Sequence, residues 1–366
     1  MLSDNDFRYF EMIGEESRLV GDRSNRFLYD EAVAAAYVNY ARDFGPEAPT
    51  GEGQAFSLNA GLRAEHTRAL DDQTVLDGFP EARVVDRDYL SLFPNVGLTW
   101  TAAEKHRLAL SYGRRINRPD YTNLNPFRSF ASLVIFEEGN PTLRPEIVNA
   151  VELAHTFASR YTTKLTVSRT TDQIARLTRQ ADFDPRAQFL TWTNLDERTV
   201  VALNVSVPAE IAPWWEVYFT GTASHISNRA AYADGSRVDV DLFNVNFYNQ
   251  HTFTLGGGWR GELSGWFNGP SVWAGTIETE AMGAVDVGFQ KSVLADKLRL
   301  RIAASDLFFT SGWRGRSDFG GTVLVGSGVY DSRRVSVSAT YNFGNDKVRV
   351  RQRETGIGEA AGRVGK

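Results

Sequence analysis

The side chains best suited to catalysis or metal binding are five histidines, and their spacing supports neither role. None of them lies in an H-E-x-x-H zinc motif, and the chain contains no G-x-S-x-G nucleophile elbow. His155 and His251 stand near serines, so a Ser-His hydrolase pair is the one catalytic arrangement open to them, but serines are too common here for that proximity to mean much. We therefore predict no enzyme activity and no cofactor. The histidines are His66, His106, His155, His225 and His251.

The second group with chemical potential is an acidic segment around Gly235. Asp234, Asp239 and Asp241 could offer carboxylate oxygens to a calcium ion. Their spacing does not match an EF-hand loop, so we predict no metal site. The glycines at 256–258 lack the Lys and Ser/Thr of a phosphate-binding loop and fit a tight turn instead.

The elements that would position any site are β-strands, because apolar and polar residues alternate along most of the chain. Near the end, Val335, Val337, Ala339 and Tyr341 alternate with serines and a threonine. Successive strand side chains point to opposite faces, so such a strand has one apolar and one polar face. A soluble sandwich strand can look the same, but recurrence with aromatics near the strand ends favours lipid outside and water inside. The pattern occurs at 27–42, 54–66, 89–101, 106–116, 146–157, 161–175, 199–208, 214–228, 243–255, 259–267, 282–291, 297–309 and 333–343.

The connections between these segments alternate in length. The short ones are 102–105, 158–160, 209–213, 256–258 and 294–296, and the long ones are 67–88, 117–145, 176–198, 229–242, 268–281 and 310–332. In a meander this alternation places all short turns at one end of the sheet and all long loops at the other. That asymmetry is typical of outer-membrane barrels, which have short periplasmic turns and long extracellular loops. The predicted fold is an all-β, antiparallel, transmembrane β-barrel of about 13–14 meandering strands.

Composition agrees with this prediction. No stretch approaches the roughly 18 apolar residues of a membrane helix. The chain has no cysteine, which excludes a disulfide scaffold and cysteine-based metal sites. A net charge of −5 gives no support for a nucleic-acid partner. Charged residues on the polar strand faces are expected to line a wet interior: Arg63, Glu65, Lys164, Glu216, Arg299 and Arg301.

Several short motifs occur in a fixed order along the chain. They are Asn25-Arg26-Phe27, Gly61 to Glu65, Leu92 to Asn95, Arg118-Pro119, Leu124-Asn125-Pro126-Phe127, Gly139 to Glu146, and Tyr341-Asn342-Phe343-Gly344. With these motifs the chain resembles the barrel of TonB-dependent outer-membrane receptors, in particular the outer membrane protein β-barrel family. The match keeps the family's order over nearly the whole chain.

The resemblance implies a nutrient importer of the outer membrane. Such receptors have a barrel of about 22 strands around a plug domain and take up scarce, bulky nutrients with energy from the TonB complex. This sequence has no plug-like segment, no TonB box and too few strands, and residues 1–6 lack the basic and apolar regions of a secretory signal. We therefore expect the C-terminal barrel part of a truncated receptor, in contact with outer-membrane lipid. Its first and last strands would then lack neighbours.

The candidate ligand-binding residues lie in the long loops, since loops on rigid scaffolds commonly carry binding. They are Tyr121, Asn123, Phe127, Arg128, Trp192, Trp273 and Trp313. A girdle of interfacial aromatics is the alternative explanation for the tryptophans. Structural roles in turns, strand entry and closure are expected for the family motif residues Arg118, Pro119, Asn125, Pro126, Gly139, Asn140, Pro141, Leu143, Pro145, Glu146, Tyr341 and Phe343.

The predicted organisation is an N-terminal segment at 1–26 with one further strand near 7–12, a barrel region at 27–344, and a basic disordered tail at 345–366. Two other functional classes stay open from the pattern alone. One is a self-contained small porin or barrel enzyme, and the other is a soluble β-rich binding module. The transported nutrient is not readable from the sequence.

Overall fold

The computed structural model describes residues 2–20, 24–45, 55–75, 84–103, 105–130, 132, 134–181 and 186–343, so the predicted tail lies outside the described residues. Within these ranges the one helix is α1 (Tyr121–Leu124), and no helix is long and apolar enough to cross a membrane. The strands, in chain order, are β1 (Leu2–Phe7), β2 (Phe10–Ile13), β3 (Glu16–Leu19), β4 (Asn25–Phe44), β5 (Ala55–Val75), β6 (Val84–Ala103), β7 (His106–Asn117), β8 (Arg128–Phe130), β9 (Ile135–Glu138), β10 (Glu146–Phe157), β11 (Tyr161–Gln180), β12 (Gln188–Ala212), β13 (Trp215–Ala231), β14 (Arg237–Gly256), β15 (Trp259–Asn268), β16 (Ser271–Trp273), β17 (Ile277–Thr279), β18 (Met282–Val293), β19 (Leu298–Ser305), β20 (Trp313–Phe319), β21 (Thr322–Gly328) and β22 (Arg334–Tyr341).

One antiparallel sheet contains all thirteen patterned segments. Its strand order is β1-β4-β5-β6-β7-β10-β11-β12-β13-β14-β15-β18-β19-β22, so each long strand pairs with the next one along the chain. This meander confirms the predicted fold class and strand count. The further strand is β1, which pairs with residues 25–30 of β4, whereas residues 10–13, where we expected it, form a hairpin with β3. In the described chain β1 and β22 do not pair with each other.

The apolar side chains of neighbouring strands align on one face. Val38 of β4 is opposite Leu62 of β5, and at the far end of the sheet Ile302 of β19 is opposite Val337 of β22. Val38 and Val337 are 66% and 80% exposed. A continuous apolar wall of this extent is unfavourable in water and is expected of strands that contact lipid. We call this the outer face and the opposite one the inner face.

Tight turns join the strands at one end, called the turn end. Ala158 and Ser159 between β10 and β11 have φ of 51° and 53°, and the residues from Leu294 to Asp296 between β18 and β19 also have positive φ. The segregation of short and long connections is confirmed. The turn predicted at 209–213 was too long, since β12 continues to Ala212. Pro208 is compatible with the extended backbone of a strand and removes only one backbone N–H donor, so β12 continues through it.

The long connections lie at the opposite end, called the loop end, and extensions of the flanking strands make up most of three of them. β5 continues to Val75 and β6 begins at Val84; β11 and β12 likewise reach Gln180 and Gln188. β13 continues to Ala231 and β14 begins at Arg237. The predicted loops 67–88, 176–198 and 229–242 were therefore wrong in extent. Beyond the apolar band both faces of a strand can be polar, so the hydrophobic period disappears while backbone pairing continues.

The pairing of β11 with β12 contains a local irregularity that inverts the faces. The register leaves Asp172 and Asp196 out, and Asp172 has a φ of 56°. The register is the same on both sides of this unpaired position, and the left-handed backbone at Asp172 shifts the alternation of β11 beyond it by one position. Accordingly, the buried positions of β11 change from Thr170 to the odd-numbered Ala175 and Leu177.

The apolar core lies at the loop end, where the long loops pack against the extended strands. A four-stranded sheet, β16-β17-β20-β21, contacts β11 and β14. One cluster comprises Ala175, Leu177, Leu195, Ala230, Val238, Val240 and Phe319; a second comprises Phe27, Tyr29, Ala69, Leu124 and Leu143; a third comprises Phe136, Ala181 and Ala187. The loops are thus folded structures that cover this end of the sheet.

Candidate functional site

Arg118, the first residue after β7, is the centre of a buried ion-pair cluster on the inner face. Its Nη2 donates to Glu65 Oε2 at 2.6 Å and to Thr67 Oγ1 at 2.9 Å, and its Nε lies 3.4 Å from Glu31 Oε1. The Nε of Arg63 donates to the other oxygen of Glu65 at 2.6 Å. The side chains of Arg118 and Glu65 are 14% and 8% exposed. The cluster therefore fixes the start of the loop 118–145 to β4 and β5.

The loop 118–145 buries two leucines against these strands. Leu124 and Leu143 are 1% and 0% exposed and pack in one cluster with Phe27 and Tyr29 of β4. The ring of Tyr121 lies over Tyr29, with centroids 4.4 Å apart. Burial of several large apolar side chains is worth about 1.5–3 kcal/mol each, so this loop has a single stable position over the inner face.

Gly139 and Asn140 hold the two halves of this loop together. Gly139 N donates to Asn125 O at 3.0 Å and Asn140 N donates to Asn123 O at 2.7 Å. A Cβ at Gly139 would be closer to Asn125 O than van der Waals contact allows and only 2.7 Å from Asn123 O, so only glycine permits this approach. Asn140 Nδ2 also donates to the carbonyl of Trp192, which anchors the loop to β12.

The end of the loop is fixed in the same way. The buried Pro141 accepts a hydrogen bond at its carbonyl from Arg87 of β6. Glu146 at the start of β10 accepts one from the Ile174 backbone at 2.6 Å and one from Asn117 Nδ2 at 2.8 Å. The remaining motif prolines are placed within the folded loop: Pro119 is buried, and Pro126 and Pro145 are half-buried.

Arg128 and Phe127 lie apart from the cluster formed by Tyr121 and the buried side chains that it packs against, which we call the Tyr121 cluster. The Arg128 guanidinium lies 4.4 Å from the ring centroid of Phe189 and 5.9 Å from that of Phe136, and 3.5 Å from Glu138. The ring of Phe127 contacts Phe7 of β1 at 5.6 Å. The side chain of Arg128 is 45% exposed.

The three loop tryptophans have different surroundings. Trp192 is half-buried beside the Tyr121 cluster, with the Arg176 guanidinium 5.9 Å from its ring. Trp313 of β20 lies over Gly326 and Gly328, where added Cβ atoms would clash with its ring. Trp273 of β16 is 56% exposed. The structure therefore brings Tyr121, Asn123 and Trp192 together and leaves Trp273 and Trp313 in the separate four-stranded sheet.

The histidines and the acidic segment do not assemble into a metal site. His106 and His155, which we expected to be scattered, stack near the turn end with Nδ1 and Nε2 3.0 Å apart. Asp241 pairs with His225, whereas Asp234 accepts hydrogen bonds from Ser236. In the described part of the chain, His and acidic side chains form no group of three suited to a metal ion.

A cleft in the inner wall was missed by sequence reasoning. Tyr248 of β14 is directly opposite Trp266 of β15, and Asn246 is opposite Asn268. With Thr220 and Thr222 of β13, Gly221 and Phe247, these residues line a cavity of about 260 Å³. The even-numbered residues of each of these strands form a face with polar and aromatic side chains, which the sequence alone shows. The register that brings these residues together across neighbouring strands could not be read from the sequence.

This wall of paired strands, apolar outside and polar inside, matches a known family over almost the full described chain. A model of the outer membrane protein beta-barrel family aligns with residues 2–341. The chain belongs to that family. Its outer face is therefore the lipid-contacting surface of an outer-membrane protein, the turn end is periplasmic and the loop end is extracellular.

Solved receptors of the outer membrane share the fold. The ferric yersiniabactin uptake receptor FyuA from Yersinia pestis is 14% identical with a TM-score of 0.57; 88% of this chain aligns with 47% of that receptor. The ferric-catecholate import receptor Fiu from E. coli K12 is 15% identical with a TM-score of 0.54, covering 89% and 46% of the two chains. The siderophore receptor PiuA from Acinetobacter baumannii is 12% identical with a TM-score of 0.53, covering 88% and 44%.

The chain therefore has the barrel fold of TonB-dependent receptors and spans about half the length of these solved structures. No curated protein matches it in sequence. The family and the solved structures named here are outer-membrane barrels and receptors. On this family member, Tyr341 and Phe343 lie at the periplasmic end of the outer face, 49% and 86% exposed with ring centroids 5.9 Å apart, where interfacial aromatics are common.

Proposed function

We propose that this chain is the C-terminal barrel part of a TonB-dependent outer-membrane receptor that imports a scarce, bulky nutrient. The family and the shared receptor fold support this proposal. The coverage of about half of each solved receptor supports the further point that the working receptor contains more polypeptide, including a plug domain.

The observation that carries the proposal is the direction of β4 and β22, the two long strands at the ends of the meander. Both run from the extracellular to the periplasmic end, because twelve antiparallel pairings, an even number, separate them in an order of thirteen strands. They would therefore meet in parallel, which does not fit an antiparallel meander. In the described chain β1 covers only residues 25–30 of β4, so the edge from Glu31 to Phe44 has no neighbour.

Unpaired edges in hydrocarbon cost several kcal/mol for each unsatisfied backbone group. Because β1 pairs only with residues 25–30 of β4, further long strands would be needed to pair both edges and close the barrel. This requirement favours a larger receptor barrel over a self-contained small porin, for which the chain itself would have to close.

Ligand capture is assigned to the extracellular loops. Most candidate residues there are held by loop packing: Tyr121 and Trp192 support the loop 118–145, Phe127 contacts β1, and Asn123 contributes its backbone carbonyl. Arg128 and Trp273 are the exposed candidates, so we assign the first ligand contacts to them. Trp313 packs on glycines and has a structural role.

Import by such a receptor depends on the TonB complex, and this dependence is the test. In the organism that encodes the chain, deletion of its gene and deletion of the TonB gene should abolish uptake of the same nutrient from a panel of iron chelates and oligosaccharides. A porin would continue to admit its solute without TonB. Uptake that survives loss of TonB but not loss of this gene would contradict the proposal.

A further inference from the structure

The cleft in the inner wall is built from two cross-strand pairs, and we call it the amide-aromatic cleft (Asn246, Asn268, Tyr248, Trp266, Thr220 and Thr222). Tyr248 and Trp266 are opposite each other in the register of β14 with β15, and Asn246 and Asn268 form the next inward-facing pair toward the extracellular end. Directly opposite strand residues have Cβ atoms about 4.5–5.5 Å apart. The two rings and the two amides therefore form adjacent rows on one surface.

The amide row is held in place and keeps hydrogen-bonding capacity. Asn246 Nδ2 donates to Asn244 Oδ1 at 3.0 Å, and Asn244 Nδ2 donates to the carbonyls of Gly269 and Pro270 at 3.1 and 2.7 Å. This series of hydrogen bonds fixes the side-chain amide of Asn246, so its Oδ1 is oriented as an acceptor. Asn268 is exposed, and its amide has no hydrogen bond to another described residue.

The aromatic row has one fixed member and one open member. The hydroxyl of Tyr248 donates to Gln250 Oε1 at 3.0 Å, which sets the position of the ring. Trp266 is half-buried, and its indole N–H has no acceptor in the described part of the chain. An indole offers a broad apolar face with negative potential together with one donor at its edge.

The cleft carries no charge. The next ionisable side chains along the inner wall of β15 and β18 are Glu262 and Asp286, and both have partners. Glu262 is bound by Arg301 at 3.0 Å and by Gln250 at 3.0 Å, and Asp286 Oδ1 accepts the backbone N–H of Asp306 at 2.7 Å. A strongly anionic ligand would find no free counter-charge here, whereas a neutral ligand has no charge to desolvate and needs only hydrogen-bond partners for its polar groups.

From these features we infer that the amide-aromatic cleft binds a neutral sugar unit of an oligosaccharide, which names the substrate class of the proposed importer and rests on that proposal. The C–H groups of a sugar ring pack on the face of Trp266, because they carry the positive potential that an aromatic face attracts. Neighbouring sugar hydroxyls, each a donor and an acceptor, match the side-chain amides of Asn246 and Asn268. The volume of about 260 Å³ lies just below the roughly 300–1,000 Å³ of pockets for drug-sized ligands, which suits one ring at a time.

The test is binding to the purified chain of 366 residues in lauryldimethylamine oxide micelles, since sugar-based detergents would compete. The probes are maltotriose, cellotriose and xylotriose as neutral ligands and a ferric tricatecholate as an anionic one, followed by calorimetry. We expect saturable binding of at least one trisaccharide, weakened about tenfold or more in Trp266→Ala and in Asn246→Leu. Trp266→Tyr, which keeps a ring, should retain most of the affinity.

Asn249→Leu is the matched control, because Asn249 lies on the same strand with the opposite, outer orientation. Its affinity should equal that of the unmodified protein. Absence of trisaccharide binding up to roughly 10 mM in protein with an unchanged β-sheet circular dichroism spectrum overturns the inference. Binding of the ferric chelate that is lost in Trp266→Ala overturns it in favour of an anionic substrate. Trisaccharide binding without TonB-dependent uptake would instead refute the proposed transport role and leave the cleft assignment intact.

Discussion

Replacement of Arg118 by methionine should destabilise the protein through the two carboxylates that it leaves behind. Methionine retains most of the apolar stem volume, so the change removes the guanidinium with little loss of packing. Glu65 and Glu31 would remain on the inner face with side chains 8% and 4% exposed. A buried charge without its partner is costly because the interior solvates it poorly.

The magnitude follows from the geometry of the cluster. Breaking a buried ion pair by removing one partner typically costs about 3–5 kcal/mol. Arg63 still donates to one oxygen of Glu65 after the change, so we expect the lower end, about 3 kcal/mol. This corresponds to a shift of more than a hundredfold in the unfolding equilibrium. With a slope of about 2 kcal/mol/M, the urea midpoint would fall by about 1.5 M.

Urea unfolding in detergent micelles, followed by tryptophan fluorescence, measures this effect. Arg144→Met is the matched control, since the Arg144–Asp172 pair has side chains 66% and 30% exposed and should contribute about 1 kcal/mol or less. Adding Glu65→Gln to Arg118→Met removes one uncompensated charge and should recover part of the lost stability, as a double-mutant cycle would show. If Arg118→Met is no more destabilising than Arg144→Met, the cluster does not stabilise the fold in the way described.

Three further outcomes are expected. Gly139→Ala forces a Cβ against two backbone carbonyls and should lower the free energy of unfolding by about 1–3 kcal/mol. Gly113→Ala is the control, because no atom lies within 4 Å of the added Cβ and the free energy of unfolding should not change. Equal free energies of unfolding for the two variants in urea titrations would count against the close approach. Asp172→Val places a β-branched residue at a φ of 56° and should cost about 1–2 kcal/mol in the same titration, while Asp172→Gly should be tolerated. Burial acts to raise the pKa of the loop residue Asp306, but hydrogen bonds from Ser332, Ser311 and two backbone N–H groups outweigh it and hold that pKa at about 2. The ionised Asp306 side chain contributes its full stabilisation above the ordinary carboxyl pKa of about 4, and this contribution is lost as the pH falls toward 2. Pepsin should therefore cleave the loop 310–332 increasingly as the pH falls over that interval. If the Asp306→Asn variant is cleaved with the same pH dependence, this account is contradicted.

Much of the fold could be predicted because its signal is local. Alternation with a period of two is set by neighbouring residues, and it placed Val337 on one face and Ser338 on the other before any pairing was known. Alternating connection lengths then gave the order and the sidedness of the meander. The prediction failed at the loop ends of β5 and β11, because strands surrounded by water on both faces carry no hydrophobic period.

The sites were less accessible from sequence, because they depend on register and on long-range packing. Motif residues such as Arg118 and Gly139 were recognised as a group, but the partners of Arg118 lie on β4 and β5, in distant parts of the chain. The loop tryptophans looked equivalent by type, yet one supports a loop, one packs on glycines and one is exposed.

The sequence by itself determined which side chains share a strand face and in which order the strands follow one another, since both are written in short-range periodicity. Only the tertiary structure decided that Tyr248 meets Trp266, that the faces of β11 invert at Asp172, and that the loop 118–145 folds inward over the sheet. The first depends on strand register, since a shift of one residue would exchange the two faces without altering the composition of any strand. The second depends on the local backbone at Asp172, and the third on packing between segments that are distant in sequence.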